Sequence, residues 1–364
     1  MIRTAICHIS KKKLYWWTRF GKIQLLEQTY RRGRLGTTLR PFCESADVRC
    51  RSYSLCLQRV LTDFGADESF AKSVAKVKEH YRIDVPESGV RQVTHKHASR
   101  GKQQQELETK LVAKGVRQII AETDGCLIPI VEIEEKSPVK DRRKRRKLDW
   151  REARLSLSRS ADRISKHYRA TLEGVEQTGA QLLDCVIKAG GGRQSRIHCV
   201  GDGAGWIVRQ VEQQFQGQAT YLIDFYHMSE YLAKAGEVIS GGNKRWLHKQ
   251  QERLKVNRVM KVLKEIEDNM ESEDEEQEAG PVRACERYIK NRVGNLDYQG
   301  AIESGLPIGS GEVESGHRSV IQARLKLSGA WWKEENAENM LALRTMRASD
   351  EWQSYWDKVW QATA

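Results

Sequence analysis

The sequence predicts an α/β protein: a mixed sheet flanked by helices, with an all-helical insertion and an N-terminal basic region that includes a helix-turn-helix. Three observations predict it. A strand-helix-strand unit runs from Ile197 to His227. Several strand-type runs precede it between Val116 and Glu173. A polar stretch from Met228 to Val293 then has helical spacing and little β signal.

The first segment, residues 1–60, is basic and aromatic. Lys11, Lys12, Lys13, Arg19, Lys22, Arg31, Arg32, Arg34 and Arg40 are interleaved with Tyr15, Trp16, Trp17, Phe20 and Tyr30. Such side chains can neutralise phosphates and stack on bases, or the aromatics can form the core of a small β-rich module. Residues 61–114 read as a helix-turn-helix with a linker. Ser69 can cap a helix carrying Phe70, Val74, Val77 and Tyr81. Arg82 to Pro86 breaks it, and Pro86 can begin the second helix, through Val90, Val93 and His97. The outer face of that helix offers Ser88, Arg91, Gln92, His95 and Lys96, which suit phosphate and base-edge contact. A helical hairpin used only for packing is the plainer alternative.

Residues 115–227 carry the sheet. Val116 to Glu132 reads as a strand, a turn at Gly125 and a second strand, with Glu122 and Asp124 on one face. Lys140 to Lys147 is a basic run in which Arg142, Arg143, Arg145 and Arg146 are placed for phosphate contact. Trp150 to Ser158 and Lys166 to Glu173 are further strands, and Val175 to Ala189 is a helix. Ile197 to Val200 is a strand ended by a glycine turn; Trp206 to Phe215 is a helix; Thr220 to Phe225 is a second strand, parallel to the first. Asp202 and Asp224 follow the two strands, at the edge where open α/β sheets place ligands, and His227 follows three residues later.

Residues 228–308 form the helical insertion, including an acidic run from Glu271 to Glu278 and a helix opened by Pro281. Residues 309–364 are C-terminal helices. The first opens at a glycine turn and buries Val313, Val320, Ile321 and Leu325. At 100° per residue Glu312 and Glu314 point about 200° apart, so only one can face a shared site. Glu314 shares its side with His317 and Arg318. The tail carries Trp352, Tyr355, Trp356 and Trp360 on an amphipathic helix.

The 364 residues are 39% hydrophobic and 30% charged, the balance of a soluble protein with a real core. No apolar run is long enough for a membrane span, and the basic, aromatic start is unlike a secretory signal. A cytoplasmic, nucleoid-associated protein is expected. The net charge of +13 favours a polyanionic partner, nucleic acid first. Of the 8 cysteines, Cys126, Cys185 and Cys199 sit in apolar segments. Cys43, Cys50 and Cys56 are close in sequence, but no pair has the C-x-x-C spacing of a zinc ribbon.

Three carboxylates stand out: Asp124 on a strand, Asp202 at a strand end and Glu314 on a late helix. Carboxylate oxygens suit hard divalent ions such as Mg²⁺ or Mn²⁺. Two such ions about 4 Å apart clamp the attacking and leaving oxygens of an in-line phosphoryl displacement.

With these residues the sequence resembles insertion-sequence DDE transposases of the ISKra group, akin to Mutator-like transposases. The resemblance is carried by Thr123-Asp124-Gly125 with Pro129-Ile130-Val131, Trp150-Arg-Glu-Ala-Arg154, Val200-Gly-Asp202-Gly-Ala-Gly-Trp206-Ile207 and Ile223-Asp224-Phe-Tyr-His227. It continues in Ile308-Gly-Ser-Gly-Glu-Val-Glu314-Ser, Gln322-Ala-Arg324-Leu-Lys326 and Gly329-Ala-Trp331-Trp332, and spans about Thr18 to Trp356. It implies an RNase H-like catalytic core, residues 115–227 and 309–364, interrupted by the helical insertion. It implies Mg²⁺-dependent (or Mn²⁺-dependent) strand cleavage and strand transfer at element ends, with Asp124, Asp202 and Glu314 as triad and metal ligands. Asp224 and His227 match an auxiliary motif of Mutator-like enzymes, and Glu312 and His317 are further auxiliary candidates. Arg318, Arg324 and Lys326 join the cations expected to contact DNA. Trp331 and Trp332 resemble aromatics that stack on a displaced base, or belong to the core. The implied partner is double-stranded DNA, both transposon ends and target, bound by a homo-oligomer without a membrane. The start is shorter than the resemblance leads one to expect, so an upstream part and full end recognition are expected to be wanting. The alternatives are an inactive or repurposed transposase that binds DNA sequence-specifically, and an RNase H-like nuclease without strand transfer.

Overall fold

A computed structural model describes residues 6–32, 36–45, 53–134, 141, 144–271 and 280–362. The chain forms two compact units. One comprises Met1–Glu106, Ile128–Trp150 and Val320–Ala364, the other Leu107–Leu127 and Arg151–Ser319.

The first unit opens with a long hairpin, β1 (Ile6–Thr18) and β2 (Gly21–Arg32), extended by the short β3 (Thr38–Leu39). Alternation divides its side chains between two faces. Leu14, Glu27 and Thr29 are buried on one face. There Glu27 accepts hydrogen bonds from Arg40 and from the Cys43 backbone in α1 (Pro41–Ser45). The other face is largely exposed, except that Trp17 at its end is half-buried against the Tyr53 cluster.

A helix not expected from the sequence follows, α2 (Leu55–Asp67), and the boundary expected at residue 60 falls inside it. Ser54 caps it by accepting from Leu57 N, and Leu57 and Leu61 face inward one turn apart. The basic and aromatic composition upstream masks this signal. α3 (Phe70–Tyr81) starts at the Ser69 cap and ends at Arg82 in a left-handed conformation. α4 (Glu87–Gln103) starts after Pro86 and extends past His97 into the stretch read as linker. The three helices close on Leu57, Leu61, Val77, Val90 and Val93.

The second unit is built on a five-stranded mixed sheet. Its strands are β4 (Gln118–Ile133, in this unit as far as Leu127), β5 (Arg146–Ser160, in this unit from Arg151), β6 (His167–Thr171), β7 (Arg196–Gly201) and β8 (Ala219–Ile223), in the order β6-β5-β4-β7-β8. β5 and β6 are antiparallel; β4, β7 and β8 run parallel. The connecting helices α5 (Val175–Lys188) and α6 (Gly205–Phe215) bury Leu182, Val186, Ile207, Val211 and Phe215 against Ile119, Ala121, Ile197 and Cys199. The turn expected at Gly125 is absent, and β4 runs straight through it. Gly125 answers a close approach: a Cβ there would lie 2.3 Å from Glu152 Oε1 on β5.

Five helices follow in the same unit: α7 (Phe225–Ser240), α8 (Lys244–Lys255), α9 (Val259–Glu267), α10 (Pro281–Lys290) and α11 (Tyr298–Glu303). Leu232, Leu254, Val262, Ile266, Cys285 and Ile289 form their shared core. The acidic run beyond Glu271 lies outside the described residues.

The C-terminal stretch departs from a single regular helix. α12 (Gly311–Gly316) gives way to a π-helical segment, His317–Gln322, and then to α13 (Ala323–Leu325). Such wide turns interrupt the 3.6-residue period on which the 100° argument rests. α14 (Glu334–Ala348) and α15 (Trp352–Gln361) complete the first unit, where Trp356 is fully buried beside His97. No helix among the described residues is long and apolar enough to cross a membrane.

Candidate active site at the strand ends

The parallel register pairs Glu122 of β4 with Val200 of β7. Two residues further along the chain are Asp124, still on β4, and Asp202, in the loop just past the end of β7. The Asp202 loop is held from several sides. Its own Oδ1 accepts from Ala204 N at 2.8 Å, and the Tyr288 hydroxyl donates to the Asp202 carbonyl at 2.6 Å. Arg292 donates to the Gly203 carbonyl through Nε at 3.1 Å and Nη2 at 3.0 Å. Gly203 N donates to the Tyr221 hydroxyl oxygen at 3.1 Å. Gly203 has φ +80°, and a Cβ would lie 2.7 Å from Arg292 Nε, so glycine is required here.

α12 is tied to the same edge. Ser310 stands at its N-cap, but the hydroxyl donates to Asp224 Oδ2 at 2.5 Å and caps nothing. Glu122 accepts from Val313 N at 2.7 Å instead. Only 1% of Glu122 is exposed. Burial pushes its carboxyl up to about 8, against the Val313 hydrogen bond, which lowers it; the Glu312 and Asp224 charges raise it further. His317 follows α12, with Nε2 3.4 Å from Asp124 Oδ2, an ion-pair distance without close hydrogen-bond alignment. Burial alone would lower its basicity. Asp124 and Cys126 outweigh that and raise it to about 9.

The remaining carboxylates divide. Asp224 is committed: Oδ1 accepts from Tyr226 N and His227 N at the start of α7, while Oδ2 takes both Ser310 donors. It acts as a cap joining α7 to the approach of α12. Glu312 pairs with Arg159 and Lys166. Burial raises its carboxyl, but those two cations hold it below the usual range. Glu314 turns outward with its side chain 56% exposed, 3.8 Å from Arg318. The structure thus brings His317 to Asp124, with Glu314 one turn before His317 and Asp202 in the loop after the neighbouring strand β7. His227 packs among Tyr231 and Tyr288 rings. Among the described residues no group of three or more His, Cys, Asp or Glu side chains closes into a metal cage.

Residues 189–358 match the model of an uncharacterised protein family, UPF0236. That stretch contains Asp202, Asp224, Glu314 and His317; Asp124 lies before it. No curated protein matches the chain.

The expected DNA contacts separate by exposure. Arg91 and Gln92 are exposed on α4, as are Arg146, Arg318 and Lys326. Lys96 is half-buried and donates to Gln58 Oε1 at 3.1 Å. Arg145 is half-buried and reaches the Glu134 carbonyl. Arg142 and Arg143 lie outside the described residues, as does Cys50 of the cysteine trio. Two expectations need correction. Arg324 is 2% exposed. Its guanidinium lies 4.8 Å from both the Phe70 and Trp332 ring centroids and donates to the Gly65 carbonyl. It ties α2 and α3 to the C-terminal helices of its unit and is not available to phosphate. His95 is half-buried, edge-on to Phe70. Burial, with Arg324 and Arg91, lowers it to about 4, so it is neutral at physiological pH and offers no charge to a phosphate. Trp332 is core and donates Nε1–H to the Leu325 carbonyl. Trp331 is exposed beside Arg146.

Tyr221, Tyr288 and Arg292 were not legible as site residues. Tyr288 and Arg292 lie four apart, one helical turn, yet nothing in the sequence ties that turn to the Asp202 loop. The contact runs across 86 residues of chain.

Proposed function

We propose that this chain is a DNA transposase of the DDE type, cutting and joining DNA by metal-assisted phosphoryl transfer. The observation that carries the reading is the parallel β4–β7 pairing, with Asp124 on β4 and Asp202 in the loop that directly follows β7. The strand order supports it: numbered within the sheet it is 3-2-1-4-5, with the first three strands consecutive and the last two parallel to the first, as in RNase H-like folds. The α3–α4 pair, with Arg91 and Gln92 exposed, is in keeping with a helix-turn-helix that contacts DNA.

The donor set fits hard divalent ions such as Mg²⁺ or Mn²⁺, since Asp124, Asp202 and Glu314 offer only oxygen. Such ions would supply the positive charge that steadies the attacking and leaving oxygens at phosphorus. The protein's own residues do the positioning. Tyr288 and Arg292 fix the Asp202 loop. Glu122 docks α12, and His317 orients Asp124 while balancing its charge. Glu314, one turn earlier, faces outward beside Arg318 and would have to turn toward that edge to complete the set.

The test is cleavage of labelled duplexes carrying the ends of the encoding element, with Mg²⁺, by wild type, Asp124→Asn and Glu314→Gln. Cleavage by wild type alone, with joining of the 3′ end to a target duplex, supports the proposal. Full activity of Asp124→Asn overturns the triad. Cleavage without joining reduces the reading to a nuclease. Tight binding of the ends with no cleavage reduces it to a DNA-binding protein.

A further inference from the structure

The β1–β2 hairpin carries a face that the proposed chemistry does not use. Its register pairs Lys11 with Gln28, Lys13 with Leu26, Tyr15 with Gln24 and Trp17 with Lys22. Directly paired residues and alternate residues share a face. That face therefore presents Lys11, Lys13 and Lys22 with Tyr15 and Leu26, and no carboxylate; Trp17, on the same face, is half-buried against the Tyr53 cluster. Lys22 Nζ sits 4.2 Å from the Tyr15 ring centroid and 5.4 Å from that of Trp17. The single hairpin carboxylate, Glu27, is on the opposite face, held by Arg40 and Cys43. The ribbon is thus anchored by one face and exposes on the other lysines, Tyr15 and Leu26, with no carboxylate among them.

The tip is equally specific. Thr18 Oγ1 accepts from Phe20 N at 3.1 Å and donates to the Gly21 carbonyl at 3.0 Å. Gly21 has φ +109°, so the two-residue turn is tightly built. It holds Phe20 91% exposed, with the Arg19 guanidinium 5.7 Å from the ring centroid. A large apolar side chain standing in water beside a cation matches the apolar wedges that enter base steps and kink a duplex.

We infer that the β1–β2 hairpin is a duplex-DNA-binding arm, with its lysines on phosphates and Phe20 pressed against a base step. The inference rests on the DNA reading above for its choice of polymer. Charge complementarity and shape carry the rest. A two-stranded ribbon can lie in the minor groove, the groove from which such wedges enter base steps. Lys11 and Lys22 lie roughly 20 Å apart along the ribbon, about six steps of a DNA strand at 3.4 Å each.

The test uses the full chain and a fluorescent duplex of about 30 base pairs and arbitrary sequence, titrated between about 50 and 200 mM salt. The variants are the triple Lys11→Gln, Lys13→Gln, Lys22→Gln and the single Phe20→Ala, with circular dichroism to verify folding. All four positions are exposed, so folding is expected to be unchanged. The triple variant should bind about tenfold more weakly at low salt, with a log–log salt slope shallower by about 2.7. Phe20→Ala should bind more weakly with the wild-type slope, and should bend an end-labelled duplex less by energy transfer. Wild-type affinity and slope in the triple variant overturn the inference. So does tighter wild-type binding to an RNA duplex of the same sequence, or to neither polymer. Hairpin-dependent binding by a chain that does not cut DNA upholds the arm and overturns the transposase reading. Metal-dependent cutting with unaffected hairpin variants does the reverse.

Discussion

His97 sits in the first unit with both ring nitrogens engaged. Gln58 spends its amide N–H on the Tyr53 carbonyl, so its oxygen accepts from His97 Nε2 at 3.0 Å. That assigns the neutral tautomer and leaves Nδ1 facing the Tyr355 hydroxyl at 2.7 Å. Burial, with Lys96 and Arg100 nearby, pushes the ring down to about 3. In the unfolded chain it titrates near its ordinary 6.5. Between those values only the unfolded state binds the proton, so stability falls as pH falls below about 6.5. From 6.5 to 5 the loss from this one group is about 2 kcal/mol. Thermal melts from pH 7 to 5 should therefore fall in midpoint for wild type. His97→Gln, which does not titrate, should fall less steeply even if its midpoint is lower throughout. An unchanged slope would show that the acid sensitivity comes from other groups. Arg324 makes the same point about burial: a cation read from the sequence as a phosphate ligand is a core residue stacked on two rings.

At the scale of elements, α12 depends on a cap from another strand. Asp224 takes the Ser310 hydroxyl, so the Val313 N–H turns to Glu122. Because Glu122 is held protonated up to about 8, an amide reproduces its shape and its acceptor. Glu122→Gln should keep the melting midpoint close to wild type at pH 7. Glu122→Leu leaves a buried N–H unpaired and should cost about 1–3 kcal/mol. It should also lower cleavage more than Glu122→Gln does, since α12 carries Glu314. Equal behaviour of the two variants would remove Glu122 as the anchor. Local signals made much of this architecture legible. The Ser69 cap, Pro86 and the apolar periods of β7, α6 and β8 lie within a few residues of the structure they specify. Glu122, Ser310 and Asp224 were not legible as a network, because their partners lie 86 to 191 residues apart. The π-helical turn after His317 also breaks the period that a sequence reading must assume.

At the scale of the whole molecule, the helices after β8 do more than fill chain between the sheet and the C-terminal helices. Their core includes β8, through Leu222 and Ile223, so within the second unit they are continuous with the sheet. From α10 and the turn after it, Tyr288 and Arg292 reach the loop that presents Asp202. Both hold backbone carbonyls of that loop, so under the proposed function they are positioning residues. Loss of such outer contacts costs roughly 10- to 100-fold in metal affinity or activity. Tyr288→Phe removes one hydroxyl and Arg292→Met two donors, so the arginine change should be the more severe. Arg292→Lys keeps one donor and should recover part of the loss. The reading that separates positioning from bulk stability is the Mg²⁺ concentration giving half-maximal cleavage. It should rise in the order wild type, Arg292→Lys, Arg292→Met, while melting midpoints move little. If the midpoints fall in step and the Mg²⁺ requirement stays constant, the two residues serve only to pack the helices, and the Asp202 loop holds its shape without them.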